Sequence, residues 1–345
     1  MPPTEAQLDT FVAAMERGFT QAAARSPGLV VRHLNLAGHA IRLRCAGAAL
    51  AEHFHPALAH ALQEPEPPVA PRPVLTIDCW DRAATGVVPP SPPWGEDAYC
   101  ASGAIQGHAQ GRVRITYDRW TRLLSVYDRH QARVFVQAAS ATALPAWMRR
   151  SPLRPVIGWW AEEQGMALLH AGAVATAAGG VALAGASGSG KSTTTLTALA
   201  AGLGFLADDA CLVRFDPSPT LYPVFGLAKL EPDAFARLTA LQHLAMEIDP
   251  GQTVLNPAAG LVPSAPLRAV ALLEISGQPR TTVEPISSTQ ALRTLVEGSL
   301  QEGGGTTLAG LRRLVTEVPC RRLRLGTDPE GVIAAVQALA QGVSP

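Results

Sequence analysis

The sequence predicts an α/β protein in two parts, a β-rich α+β N-terminal domain of residues 1–150 and an α/β domain of residues 151–345. Three observations predict this fold class. Short strands separated by turn residues fill much of the first part, and apolar strands alternate with helices in the second. A glycine-rich loop also joins a strand to a helix near residue 185, which is typical of an α/β core.

The first part opens with alternating and helical patterns. Leu50, Phe54, Leu58 and Leu62 follow the spacing of one helical face. The prolines of Glu64–Pro73 exclude helix and central strand, so this stretch is predicted to be a stiff connector or a long loop. The predicted elements are strands Leu29–Leu36, His39–Cys45 and Val74–Trp80, a turn at Ala37-Gly38, and a helix over Ala48–Leu62.

A β-meander is predicted from Ala104 to Ala138, because short apolar runs are separated by Asp-Arg turns. Its strands are Val113–Tyr117, Leu123–Tyr127 and Val134–Val136, and helices over Ala141–Arg150 and Leu153–Gln164 follow. In the second part the predicted elements are strands Leu168–Ala175, Val181–Ala184 and Ala269–Ile275, helices Thr289–Leu300 and Pro329–Ala340, and a flexible loop at Gly303–Gly305.

Composition narrows the class of function. Apolar residues make up 47% of the chain, and 28 basic residues balance 28 acidic ones, so neither disorder nor a nucleic acid or membrane partner is indicated. The five cysteines lack CxxC spacing, which favours a reducing compartment over disulfides or a zinc site. Residues 1–17 lack the apolar stretch of a signal peptide, and the chain lacks a run long enough to span a membrane, so a cytoplasmic protein is expected.

The strand Val181–Ala184 is followed by a complete GxxxxGK[ST] pattern and then a predicted helix from Lys191 to about Ala201. Backbone N–H groups of such a P-loop curl around phosphates, and the helix N-terminus adds partial positive charge. Lys191 is expected to reach the β- and γ-phosphates of ATP, and Ser192 to ligate Mg²⁺. The expected nucleotide-binding residues are Gly185, Ala186, Ser187, Gly188, Ser189, Gly190, Lys191, Ser192 and Thr193.

Two adjacent carboxylates, Asp208 and Asp209, follow the short apolar strand after the P-loop helix. Their mutual repulsion is tolerable where a Mg²⁺ ion or a substrate proton shares the site. One carboxylate is then available to hold the metal, and the other to accept a proton from an attacking hydroxyl. Taken alone, an Asp pair also suits a solvated turn.

His170 lies in an otherwise apolar predicted strand, just before the strand that leads into the P-loop. Adjacent strands would bring its imidazole beside the phosphates. The alternative is a hydrogen-bonded core histidine.

The stretch from Leu168 to Val213 resembles the catalytic core of the HPr kinase/phosphorylase family, whose members carry a His ahead of the P-loop and an Asp pair after the next helix. His170 precedes Gly185 by 15 positions and Asp209 follows Lys191 by 18, which matches the family pattern. The resemblance implies a P-loop kinase core similar to that of ATP-type phosphoenolpyruvate carboxykinases.

The resemblance also implies roles for individual residues. The catalytic set would be His170, Lys191 and Asp209, with Asp209 as the general base, and Ser192 and Asp208 would support the metal. Glu231 is the candidate for a further metal-binding glutamate, although the residues around it depart from the family signature. The region before His170 departs from the N-terminal domain of regulatory HPr kinases, and both departures count against HPr as the acceptor.

Other polar and aromatic residues are assigned to surface or packing. His53 and His55 point to different faces of a helix, so they are poor co-ligands for a metal. Trp80 and Trp94 flank a proline cluster and suit either packing or a substrate lid, and Trp159-Trp160 suits a core. An arginine group is expected to form a solvated face rather than an anion site: Arg312, Arg313, Arg321, Arg322 and Arg324.

The sequence therefore predicts an ATP- and Mg²⁺-dependent kinase that acts on a hydroxyl of a peptide, protein or small-molecule acceptor. The alternatives are an ATP-binding sensor or scaffold without catalysis, and a carboxykinase-like enzyme acting on a small acid. Neither a nucleic acid nor a membrane is expected as a partner, and a homo-oligomer stays open.

Overall fold

The computed structural model describes residues 3–63, 73–101, 103–106, 111–248, 251–300 and 308–343. The chain divides into two compact units between Pro152 and Leu153. The predicted connector Glu64–Pro73, apart from Pro73, and the predicted loop Gly303–Gly305 lie outside the described residues. Within the described ranges, no helix combines the length and apolarity needed to cross a bilayer.

The first unit is a mixed sheet with helices. Its strands run in the order β1-β2-β3-β6-β5-β4, with β3 parallel to β2 and β6 and the other pairs antiparallel. The predicted meander is confirmed as β4-β5-β6. The elements are strands β1 Leu29–Leu36, β2 His39–Ala46, β3 Leu75–Asp81, β4 Val113–Asp118, β5 Leu123–Asp128 and β6 Arg133–Ala138, and helices α1 Glu5–Arg25, α2 Ala48–Leu58, α3 Arg82–Thr85 and α4 Ala146–Arg150.

Helix α1 was not placed by the sequence reasoning, although its start carries a readable signal. Thr4 and Gln7 form a capping box in which each side chain bonds to the other's backbone N–H. The helix buries one stripe against the sheet, where each fully buried large side chain contributes about 1.5–3 kcal/mol before conformational entropy is subtracted. The stripe consists of Leu8, Phe11, Val12, Met15, Phe19 and Ala22.

Two predicted helices of this unit are shorter than expected. Helix α2 ends at Leu58 and a 3₁₀ turn follows, because Leu62 leaves the helical path to bridge Leu34 of β1. The helix predicted over Ala141–Arg150 is broken into a 3₁₀ turn and α4. Pro145 causes the break, since it disfavours a helical conformation in the residue before it.

The second unit contains a mixed sheet of nine strands, counted over the described residues, and a small sheet β13-β15-β14. Its helices are α5 Arg154–Glu163, α6 Lys191–Ala200, α7 Pro232–Arg237, α8 Ser288–Leu300, α9 Leu308–Glu317 and α10 Pro329–Gln341. Its strands are β7 Met166–Leu169, β8 Ala171–Thr176, β9 Gly179–Ala184, β10 Gly204–Ala207, β11 Cys211–Arg214, β12 Thr220–Pro223, β13 Ala228–Leu230, β14 Ala245–Ile248, β15 Thr253–Leu255, β16 Ala265–Ile275, β17 Thr282–Pro285 and β18 Cys320–Leu325.

Strand β9 lies inside this sheet, antiparallel to β8 and parallel to β16, and its alternate side chains enter two different cores. Val181 and Leu183 pack with residues of α10, whereas Ala182 and Ala184 pack with residues of α8 and α9. The strand is therefore covered on both faces, and the loop after Ala184 leaves the sheet from a rigid base.

Candidate functional site

The glycine-rich loop connects β9 to α6, as the sequence predicts. The Ser189 N–H donates to the Ala186 carbonyl at 3.1 Å, which curls the loop. Gly190 precedes the first residue of α6 with φ of 93°, a left-handed conformation that a residue with a Cβ adopts only under strain. The N-terminus of α6 therefore lies directly at the end of this loop.

Lys191 is buried at the start of α6, with only 8% of its surface exposed. Its Nζ donates to the carbonyl oxygens of Gly185 at 2.8 Å and Ala186 at 3.1 Å. An ammonium group held inside a loop at a helix N-terminus is suited to a phosphate, because both contribute positive charge at one point. The residues of the loop therefore fit the phosphates of a nucleotide.

The strand predicted over Leu168–Ala175 is wrong in one respect, since it breaks at His170. The residues before the break form β7, which pairs with β11, and those after it form β8, which pairs with β10 and β9. Asp208 and Asp209 occupy the matching gap between β10 and β11. At the break, the His170 Nδ1 lies 2.9 Å from the Asp209 carbonyl oxygen.

The pairing register explains why His170 and Asp209, two of the three predicted catalytic residues, meet. Leu169 lies opposite Cys211 on one side of the gap and Ala173 lies opposite Ala207 on the other. Both pairs belong to the same antiparallel register. The segment that contains His170 therefore lies opposite the segment that contains Asp208 and Asp209. In the β8–β9 pair, Ala171 lies opposite Ala184, and His170 and Gly185 therefore emerge at the same edge of the sheet.

Arg154 joins this group, and sequence reasoning missed it. Its Nη1 donates to Asp209 Oδ2 at 2.7 Å, and its Nη2 lies 3.0 Å from His170 Nδ1. The Nδ1 atom of His170 lies 3.5 Å from Asp209 Oδ1. Arg154 and His170 are buried, and the Asp209 side chain is 22% exposed. We call Arg154, His170 and Asp209 the polar triad.

The start of α5 sets the position of Arg154. Leu153 precedes the helix in a left-handed conformation with φ of 59°, which is strained for a branched residue. The apolar face of α5, including Val156, Ile157 and Trp160, is buried and fixes the helix. A charged residue in such an apolar segment was the available signal, because buried charges require partners.

Asp208 has different surroundings from Asp209. It is 2% exposed, and its Oδ2 accepts the backbone N–H of Lys229 in β13 at 3.0 Å. The backbone on its other side is tightly packed, since a Cβ built on Gly172 would overlap Thr195 Oγ1 and lie 3.4 Å from the Asp208 carbonyl oxygen. The two aspartates are therefore directed to different neighbours. Asp208 bonds to β13, and Asp209 contacts the other two members of the polar triad.

The remaining predicted metal residues lie near these elements. Ser192 is half-buried in the first turn of α6. Glu231 is exposed and precedes α7, two residues after Lys229, whose N–H bonds to Asp208. Over the described part of the chain, no three His, Cys, Asp or Glu side chains cluster as a metal site. The roles of Ser192, Asp208 and Glu231 toward Mg²⁺ stay predictions.

Cys211 lies next to this site in sequence and faces the core. Burial raises the pKa of its thiol to about 12, and the nearby Arg154 only partly opposes this effect. A thiol in such surroundings is protonated and unreactive at neutral pH. Cys211 is therefore a packing residue.

The residues assigned to surface or packing behave as predicted where the structure describes their contacts. Burial first, and then the charge of Arg149, lower the pKa of His53. Trp160 is fully buried. Arg322 and Arg324 of β18 lie beside the carboxylates of Glu274 and Glu284 on the neighbouring strands, with nitrogen–oxygen distances of 3.6–3.9 Å. All four side chains are partly exposed.

No protein-family model matches this chain, and no curated protein is similar enough to count as a relative. The resemblance to HPr kinases therefore depends on the motif residues and stays a prediction.

Proposed function

We propose that residues 153–345 form an ATP-dependent kinase that transfers the γ-phosphoryl group to a hydroxyl of a peptide, protein or small-molecule acceptor. The main support is that His170 and Gly185, which begins the loop around the buried Lys191 ammonium, lie at the same edge of the sheet. His170 belongs to the polar triad, which also contains Asp209. A nucleotide binder that performs no chemistry needs the P-loop alone. The resemblance to the HPr kinase core points to the same reaction.

In this proposal Asp209 accepts the proton of the acceptor hydroxyl while that oxygen forms a bond to the γ-phosphorus. The bond from the γ-phosphorus to the bridging oxygen of ADP breaks, and ADP leaves. Arg154 donates to Asp209 Oδ2 at 2.7 Å and so fixes the orientation of the carboxylate that acts as the base. Lys191 stabilises charge on the transferring group.

His170 completes the arrangement as a positioning residue. Its Nδ1 contacts Arg154 and the Asp209 backbone, so its ring orientation is set by both. Ser192 and Asp208 are the proposed holders of Mg²⁺, which when bound neutralises phosphate charge. ATP is abundant in the cytoplasm, which agrees with the expected location.

The test is a transfer assay with Mg²⁺, γ-labelled ATP and a fractionated extract of the source cells. Label is followed into peptide, protein and small-molecule fractions. We expect label in one fraction, and its absence with Lys191→Ala, because that change removes the ammonium from the loop. Bound ATP with no label in any fraction would contradict the kinase proposal.

One observation favours a second candidate, an ATP-binding sensor without catalysis. The 2.7 Å contact between Arg154 and Asp209 also suits a purely structural ion pair that joins α5 to the sheet. In a sensor, ATP affinity and any ATP-induced change in conformation would survive Asp209→Asn. Transfer of label that depends on Asp209 would exclude this candidate.

A further inference from the structure

The first unit contains a cleft of about 420 Å³ between the β4–β5 turn and the proline-rich loop that follows α3. Its wall is aromatic: the Tyr99 and Tyr117 rings lie 6.3 Å apart, and Trp94 lies beside them. Pro89, Pro90 and Pro92 line the loop side. The cleft therefore offers rigid apolar surface of a size that takes a small ligand or one to two side chains.

The rim of the cleft is positively charged. Arg82, Arg119 and Arg122 line it, against one carboxylate, Glu96, among the described lining residues. The closest approach of Arg119 to Glu96 is long, at 3.9 Å, and both side chains are mostly exposed. An apolar interior under a cationic rim favours a ligand that joins an apolar group to negative charge.

The β4–β5 turn is held in shape rather than loose. The Asp118 carboxylate accepts the N–H groups of Trp120 at 2.8 Å and Thr121 at 3.2 Å, and Arg122 adopts a left-handed conformation. This turn directs Arg119 and Arg122 to the cleft. The proline-rich loop is fixed by α1, because Trp94 packs edge-on against Phe11 with ring centroids 4.9 Å apart.

Apolar surface continues beyond the cleft. Trp120, on the same turn, is 97% exposed, and Val88, on the opposite loop, is 64% exposed. Val88 lines the cleft, but Trp120 does not, so a ligand confined to the cleft would leave Trp120 in water. A chain that crosses the rim at the β4–β5 turn would cover it. Tryptophan, tyrosine and arginine are also the residues that contribute most to binding energy in protein interfaces.

We propose that this cleft binds an extended acidic peptide segment, with an aromatic or large aliphatic side chain inside and flanking carboxylates on the arginine rim. The proposal depends on the kinase function only in naming this peptide as the phosphoryl acceptor.

The test uses two pools of fluorescein-labelled heptapeptides and the full chain without nucleotide. Both pools carry Phe, Trp or Leu at the centre beside a serine, and the flanking positions are Glu or Asp in one pool and Lys or Arg in the other. Anisotropy should show the acidic pool binding at least about tenfold more tightly, with an affinity that falls as NaCl is added. Equal binding of both pools, or of neither, would overturn the proposal.

Variants locate the binding. Arg119→Glu with Arg122→Glu should weaken the acidic pool at least about tenfold, and Trp120→Ala should weaken it without changing the unfolding midpoint, since that side chain is exposed. Arg17→Glu with Arg32→Glu makes the same charge change at exposed positions away from the cleft and should have little effect. If both double variants lose the same affinity for the acidic pool, the effect is one of net charge and the proposed site is refuted.

Two outcomes distinguish the peptide proposal from a small-molecule site and from the kinase proposal. If N-acetyl-Phe-Glu displaces the peptides as well as an unlabelled heptapeptide does, the cleft is a small-molecule site and the peptide proposal is wrong. If the acidic pool binds but receives no label from ATP, the cleft proposal stands and the kinase proposal loses its peptide acceptor.

Discussion

Replacing Arg154 with glutamine is expected to destabilise the second unit, because this side chain holds Asp209 and His170 together. The change removes a 2.7 Å charged hydrogen bond to Asp209 Oδ2 and a 3.0 Å contact to His170 Nδ1. A hydrogen bond to a charged group contributes about 1.5–3 kcal/mol. In the variant, water can hydrogen-bond to the Asp209 carboxylate, which is 22% exposed, and this offsets part of the lost free energy. We therefore expect the free energy of unfolding to fall by about 2–4 kcal/mol.

The same change should separate catalysis from nucleotide binding. The described contacts of Arg154 within the site are with Asp209 and His170, not with the loop that holds Lys191. Affinity for ATP should change by less than about threefold, while misplacement of the base lowers the transfer rate by about 10–10²-fold. Arg154→Lys should rescue only part of the rate, because an ammonium lacks the guanidinium fork.

Urea denaturation followed by circular dichroism measures the stability, and ATP titration and label transfer measure the two functions. Arg293→Gln is the control, since it breaks an arginine–carboxylate pair with Glu297 on the exposed face of α8 and should leave the unfolding curve unchanged. If Arg154→Gln matches the parent protein in stability and rate, the polar triad does not organise the site.

Three further predictions concern packing and the cysteines. Gly172→Ala should destabilise the chain by about 1–3 kcal/mol, because the added Cβ would overlap Thr195 Oγ1. Gly298→Ala is the control and should not destabilise the chain, because its Cβ would lie 3.6 Å from the nearest heavy atom. Urea denaturation measures both variants. Burial raises the pKa of the Cys211 thiol to about 12, whereas in the unfolded chain this thiol has its ordinary pKa near 9. Above pH 9 only the unfolded chain loses the thiol proton, so the free energy of unfolding falls by about 1.4 kcal/mol per pH unit. Cys211→Ala should therefore flatten the dependence of the unfolding free energy on pH between pH 9 and 11, and an unchanged slope would refute the assignment. Thiol titration with Ellman's reagent at pH 8 should find Cys100 reactive in the folded chain and the other four cysteines only after unfolding, because Cys100 is exposed and they are buried.

The glycine-rich loop between β9 and α6 could be predicted because its sequence signals are local. Glycines at fixed positions, a lysine and a following helix all lie within one short segment, so no distant contact was needed to place Lys191 and Ser192. The strands of the meander were predictable for the same reason, since each alternates between turn residues. The break at His170 was not, because Leu168–Ala175 is apolar throughout except for that residue.

Arg154 could not be placed from the sequence because its partners lie 16 and 55 positions away. Local patterns show that a buried arginine needs an acceptor, but not which one. The cleft of the first unit was equally hidden. In the sequence, Trp80 and Trp94 suit either packing or a substrate lid. Arg119 and Arg122 line the same cleft as Trp94 only because β4 and β5 pair through their turn.

We propose that Asp209 acts as the general base beside the loop that holds the nucleotide. The most direct test measures ATP affinity and the rate of label transfer for Asp209→Asn, with circular dichroism to verify that the variant is folded despite the altered contact with Arg154. We predict ATP affinity within about threefold of the parent and a transfer rate lowered by roughly 10²–10⁴-fold, the usual contribution of a general base. An unchanged transfer rate in a folded variant would contradict the account.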